Sequence, residues 1–203
     1  MAEAPHASTA GAAELVTSVA PRRSAEEQIV AAGLELVGPC EGLSRQRGLL
    51  ARSPLLHDFT PEEAEVLGQA MLLVRARPGQ ALIAEDDPSD FMMLLLSGTV
   101  DVGKRKVGAA ADDPQEPGDN TRLAVLKEGA VIGEMSMLDG EPRYASCWAL
   151  SEVEAAVLTR PAVARLITTH PGVGAKLLVK ITQLLAQRLR NTSNQLLLLL
   201  QKQ

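Results

Sequence analysis

Between Leu72 and Leu158 the apolar residues come in short runs, Ala81 to Ala84, Met92 to Leu96, Leu123 to Leu126 and Ala155 to Leu158, separated by Gly, Pro and Asp. Runs of that length suit strands, and many short strands joined by turns imply a sandwich or roll. The stretch Gly103 to Arg122, long and polar, reads as a mobile loop between two strands. Its Lys104-Arg105-Lys106 triplet reads as a solvated strand end.

Helical patterns flank this region. Ser24 with Glu27 three residues on forms a capping signal, and apolar residues then recur at helical spacing as far as Val37, where Gly38-Pro39 predicts the stop. That helix reads as a packing appendage. Thr60-Pro61-Glu62-Glu63 opens another, with a cap, a proline at the first position and acids in the first turn, expected to run to about Leu72. After Pro161 the chain is helical to about Thr169, and past His170-Pro171-Gly172 it is helical again from Val173 nearly to the end. About thirty residues reach roughly 45 Å, beyond the width of such a roll, so part of this helix must pack on something else.

Leu178, Ile181, Leu185, Thr192 and Leu199 fall on a heptad-like stripe with Leu189 and Leu196 nearby, which suits a parallel contact between identical subunits. The cations Lys176, Lys180, Arg188, Arg190 and Lys202, with no acid on the same helix, read as a solvated outer face. Leu196 to Leu200 cover all sides of the helix and need burial, but are too few to span a bilayer. The expected division is a disordered tail over 1–23, a helical appendage over 24–48, the roll with short helices over 49–171 and the C-terminal helix over 172–203.

One stretch holds a lone acid, a lone cation and a turn of backbone amides able to converge on a small anion: Gly133-Glu134-Met135-Ser136-Met137-Leu138, followed by Pro142-Arg143-Tyr144-Ala145-Ser146. Gly133 lets backbone approach a ligand closely, and the helical turn after it would aim its N–H groups at an anion. Arg143 offers a planar fork for a phosphate, which a Lys cannot match. Glu134 would repel phosphate, so its useful role is to accept from a sugar hydroxyl. A ribose phosphate satisfies both.

These residues resemble the phosphate-binding cassette of cyclic nucleotide-binding domains, Gly-Glu-x-x-x-Leu followed by Pro-Arg-x-Ala-Ser. Pro78 to Ile83 and Asp87 to Val100 resemble the first strands of that family's β-roll in the right order. Arg188-Leu189-Arg190-Asn191-Thr192-Ser193 is similar to the C-helix of bacterial catabolite activators, where the equivalent Thr and Ser read the adenine, the Ser from the partner subunit. The similarity covers roughly residues 49–195. It implies an α+β fold, an antiparallel β-roll of jelly-roll type with flanking N-terminal helices and a long C-terminal dimerisation helix.

Two positions depart from the family. Tyr144 stands where the activators have a small hydroxyl residue, so only its backbone N–H carries over; its ring would stack on a base, face solvent or mark a pocket for a larger ligand. Alternation places Tyr144, Ser146 and Trp148 on one strand face and Ala145, Cys147 and Ala149 on the other, without saying which lines the site. Asp86 occupies a turn position where the family usually has Gly, so an Asp-stabilised turn is expected there.

Other function classes fare worse. The 203 residues, 46% hydrophobic, suit one domain with appendages and a sizeable core, while 2% aromatic content and a net charge of −5 argue against a general nucleic-acid binder. Met1 to about Arg23 lacks the basic and apolar regions of a signal peptide, and Cys40 and Cys147 lie far apart, so reduced thiols in a cytoplasmic protein are expected. His6, His57 and His170 are scattered, which disfavours a metal-binding cupin, and no nucleophile elbow, Walker loop or positioned base supports an enzyme. The chain stops at Gln203 with no residues for a winged helix, so direct DNA binding is not expected.

The resemblance therefore implies a cyclic nucleotide sensor that signals through a homodimeric C-terminal helix to an unknown protein partner. Its ligand-binding residues would be Gly133, Glu134, Met135, Ser136, Arg143, Tyr144, Thr192 and Ser193. The Thr-Ser match favours cAMP, with cGMP and cyclic di-GMP left open by Tyr144. The rival reading is a constitutive dimeric scaffold that binds no nucleotide.

Overall fold

A computed structural model of the chain describes residues 24–106 and 120–201. The expected N-terminal tail, most of the loop between Gly103 and Arg122, and Lys202 fall outside the described residues. In chain order the elements are α1 (Ala25–Ala31), β1 (Glu35–Pro39), a 3-10 turn (Leu43–Arg45), α2 (Arg47–Arg52), α3 (Pro61–Gln69), β2 (Leu72–Ala76), β3 (Ala81–Ile83), β4 (Phe91–Ser97), β5 (Thr99–Lys104), β6 (Thr121–Lys127), β7 (Val131–Ile132), α4 (Glu134–Asp139), β8 (Ser146–Ala149), β9 (Val153–Thr159), α5 (Arg160–Thr169) and α6 (Pro171–Leu200). The strands form an antiparallel roll of two sheets, ordered β1-β2-β9-β4-β7 and β3-β8-β5-β6.

Residue parity along β4 explains why its sequence is apolar throughout. Phe91, Met93 and Leu95 point between the sheets, joining Val74, Leu82, Val100, Cys147, Ala155 and Val157. Met92, Leu94 and Leu96 face the other way, onto a core shared with Leu43, Leu67, Val163, Leu166, Leu177 and Ile181 from the helices. A strand buried on both faces has no polar side to alternate with. Among the described residues no helix is long and apolar enough to cross a membrane.

The first helix is shorter than its periodicity suggested. The Ser24–Glu27 capping box forms as expected, but α1 ends at Ala31, with Gly33 at a φ of 70° turning the chain back. Glu35 to Val37, expected to be helical, belong instead to β1, which pairs antiparallel with β2 and includes the expected stop Gly38-Pro39. Leu34 and Leu36 fit either period, and the open edge of β2 decides between them. The box at Thr60 and Glu63 also forms, but α3 stops at Gln69, short of Leu72, which starts β2.

The lysines at the start of α6 are not a solvated face. Lys176 Nζ donates to both Glu63 carboxylate oxygens, at 2.7 and 2.5 Å, and Lys180, almost buried, pairs with Asp58. Hydrogen bonds from these lysines hold the carboxyls of Glu63 and Asp58 below the usual range. Depressed carboxylates stabilise the folded state above their unfolded pKa, and this contribution fades as pH falls through the folded value. The triplet after β5 is paired as well: Lys104 Nζ lies 3.0 Å from Glu85, and Arg105 Nη2 lies 3.1 Å from Asp86.

Packing likewise revises the stripe on α6. Ile181 is fully buried in the chain's own core, and Leu178 and Leu185 pack against it half-buried. From Gln187 to Leu200 the helix is exposed along its length, including Leu189 at 69% and Leu199 at 64%.

Candidate functional site

The cassette is built where β7 runs into α4. Gly133 caps α4 at a φ of 73°, and a Cβ there would lie 2.6 Å from Arg143 Nη1 and 2.8 Å from Ile83 Cδ1, so only glycine fits. The N-terminal amides of α4, from Glu134, Met135 and Ser136, have no carbonyl a turn below them. At its other end Arg160 donates to the carbonyls of Met137 (2.8 Å) and Ser136 (3.1 Å), fixing α4 from below.

Arg143 reaches the same place from a loop tied down by backbone. Its N–H donates to the Asp87 carbonyl at 3.0 Å and its own carbonyl accepts from Asp86 N–H at 2.9 Å. Asp86 makes that second bond from a φ of 69°, the only positive φ among described non-glycine residues, as expected for an Asp in a glycine position.

The Arg143 side chain is 2% exposed. Its Nε donates to Ser89 Oγ (3.0 Å), Nη1 to the Gly133 carbonyl (2.8 Å), and its guanidinium carbon lies 4.5 Å from the centre of the Phe91 ring. Nη2 is buried with no hydrogen-bond partner among the described residues. Burial pulls its pKa down to about 10, against the opposing pull of Asp87, Cys147, Asp90 and Glu134. At neutral pH it is therefore a buried cation with one N–H group unsatisfied, an arrangement that favours an incoming anion.

Glu134 is buried, and its carboxylate is paired within the chain. Arg188, from α6, bonds it through Nη1 and donates through Nη2 to the Val131 carbonyl at 2.5 Å. Thus three residues that the site uses, Ser89, Arg160 and Arg188, were not among those expected. Arg188 had a signal, since it opens the segment similar to the activator C-helix, but its charge read as surface. Ser89 and Arg160 had none.

The remaining expected residues divide. Ser136 is buried on α4 and Met135 half exposed. Tyr144 precedes β8 rather than belonging to it; its ring is 56% exposed, with Lys104 Nζ 4.1 Å from the ring centre. Both faces of β8 are buried, Ser146 included, whose Oγ accepts from Glu85 N–H at 2.8 Å. Thr192 and Ser193 are not brought to the cassette within one chain: both are exposed on the outer half of α6, and Thr192 Oγ1 donates to Arg188 O at 3.0 Å. The two cysteines are buried and unbridged, with burial raising their thiols to about 11 for Cys40 and about 12 for Cys147. Neither carries thiolate at neutral pH.

Comparison with known proteins agrees with this geometry. The cyclic nucleotide-binding domain profile matches residues 73–170. A cyclic nucleotide-binding domain from Methylobacillus flagellatus, solved by crystallography, is 32% identical with a TM-score of 0.66 over 81% of this chain and 88% of that one. The catabolite activator protein of Thermus thermophilus is 31% identical with a TM-score of 0.61, over 72% of this chain and 63% of its own. A CRP-like cAMP-activated global transcriptional regulator of Mycobacterium tuberculosis is 30% identical over 148 residues, 73% of this chain and 60% of that protein. The chain belongs to the cyclic nucleotide-binding domain family. It spans about 60% of the length of that curated relative.

Proposed function

We propose that the chain is a cytoplasmic cyclic nucleotide sensor, not an enzyme, with cAMP the favoured ligand. The observation that carries this reading is the buried Arg143 guanidinium with its unpartnered Nη2 at the start of α4. A cyclic phosphate would accept from that group and from the amides of Gly133 to Ser136, replacing an unsatisfied buried donor with charge-assisted bonds. The ribose 2′-hydroxyl would donate to Glu134. Arg188 holds that carboxylate, so ligand entry and the position of α6 would compete for one group. A ligand shifts such an equilibrium only by its difference in affinity for the two arrangements.

Thr192 and Ser193 would close over the base from a dimeric α6. The exposed series Leu189, Thr192, Leu196 and Leu199 keeps the alternate spacing of four and three that a two-stranded seam requires. Leu196 is 56% exposed among the described residues, so Leu196→Asp is expected to leave the roll folded and to halve the mass by light scattering; a monomeric wild type would refute the seam. The output is a changed α6 surface presented to another protein.

Calorimetry with cAMP, cGMP and cyclic di-GMP tests the central reading. Saturable heat with a rise in Tm for one of them is expected. Silence with all three would favour the rival, a nucleotide-free dimeric scaffold.

A further inference from the structure

Helix α1 lies outside the residues matched by the family profile, yet it grips the segment on which Arg143 rests. Gln28 holds Asp90 at two points: its Nε2 donates to Asp90 Oδ1 at 3.2 Å, and its Oε1 accepts from Asp90 N–H at 3.1 Å. Asp90 is itself nearly buried, at 6% exposed. On one side of it is Ser89, whose Oγ receives Arg143 Nε; on the other is Phe91, whose ring lies against the guanidinium. The next residue of α1, Ile29, is fully buried in the same core cluster as Phe91 and Ile83.

These contacts have a direction. Asp87 Oδ1 accepts from Ser89 N–H at 2.8 Å and the Asp87 carbonyl accepts from Arg143 N–H, so the turn fixes Ser89 from below. From above, Gln28 holds Asp90, the residue between Ser89 and the start of β4, where Phe91 enters the ladder with Thr159. A side-chain amide suits this role because it donates to a carboxylate and accepts from a backbone N–H at once. A carboxylate in its place would repel Asp90.

We propose that Gln28 is a positioning residue for Arg143, so that α1 sets the nucleotide affinity of the cassette without touching the ligand. A shift of Ser89 by a fraction of an ångström would change the angle at which the guanidinium fork meets a phosphate, and bidentate recognition depends on that angle. The inference rests on the proposed role of Arg143 as phosphate ligand.

Its test is a double-mutant cycle read by calorimetry, titrating cAMP, cGMP and cyclic di-GMP in parallel and following whichever binds the wild type. Gln28→Met keeps the bulk of the side chain and removes both hydrogen bonds; a three- to tenfold loss of affinity is expected. In an Arg143→Lys background, where the fork is gone and a cation remains, the same substitution should change affinity by less than twofold. Equal losses in the two backgrounds would mean that Gln28 only supports the fold, and overturn the inference. So would wild-type affinity in Gln28→Met. Should that variant fail to fold, Gln28→Glu takes its place, with the same expected dependence on the background. Unchanged affinity in Arg143→Lys and Arg143→Ala would instead remove the proposed phosphate role, and the positioning role with it.

Discussion

Arg143→Ala is expected to weaken nucleotide binding at least tenfold while the protein remains folded. Tenfold corresponds to about 1.4 kcal/mol. One charge-assisted hydrogen bond is worth about 1.5–3 kcal/mol, and the fork would contribute more than one, so tenfold is a lower bound. Stability should change little because two effects oppose each other. The variant loses the bonds to Ser89 and the Gly133 carbonyl and the packing on Phe91, but it also removes a desolvated cation with an unsatisfied N–H. Calorimetry for affinity and thermal unfolding for stability separate the two quantities. Unchanged affinity would remove Arg143 from the site. A variant that binds weakly only because it has unfolded would show itself in the melting curve.

What could be read in the sequence and what could not differ by distance along the chain. The cassette from Gly133 to Arg143 was legible because its parts lie within one helical turn and one loop, where local geometry alone brings them together. Asp86 was legible for the same reason, since a residue in a glycine turn position has few conformations to choose from. The partners that complete the site come from elsewhere: Ser89 is 54 positions from Arg143, and Arg188 is 54 positions from Glu134. No local pattern marks such pairs.

Periodicity misled in two places, for a physical reason in each. It established that Leu178, Ile181 and Leu185 form an apolar face, but a face that packs on the chain's own core has the same spacing as one that packs on a second copy. The roll covers the first part of the stripe and leaves Leu189 onward uncovered. At Glu35 to Val37 an apolar pattern compatible with a helix was claimed by a strand because the edge of β2 offers backbone partners. Lys176, Lys180 and Arg188 read as surface because long cationic side chains are mostly exposed, whereas here Glu63, Asp58 and Glu134 from distant elements meet them.

Arg188→Ala should uncouple nucleotide binding from α6. The residue is the link between the cassette and the exposed half of the helix: Nη1 bonds the buried Glu134, and Nη2 bonds the Val131 carbonyl just before the cassette. Its removal leaves a buried carboxylate without its cation, which costs about 1–3 kcal/mol and lowers Tm by several degrees for a chain of this size. The ligand-free variant should also release the outer part of α6, seen as faster amide hydrogen exchange from about Gln187 onward. Because ligand and α6 are proposed to compete for Glu134, and the variant has already given up that pair, adding ligand should alter exchange in α6 far less in the variant than in the wild type. If ligand still changes the exchange of α6 to the wild-type extent, the pair with Glu134 is a structural tie and the signal leaves the cassette by another route.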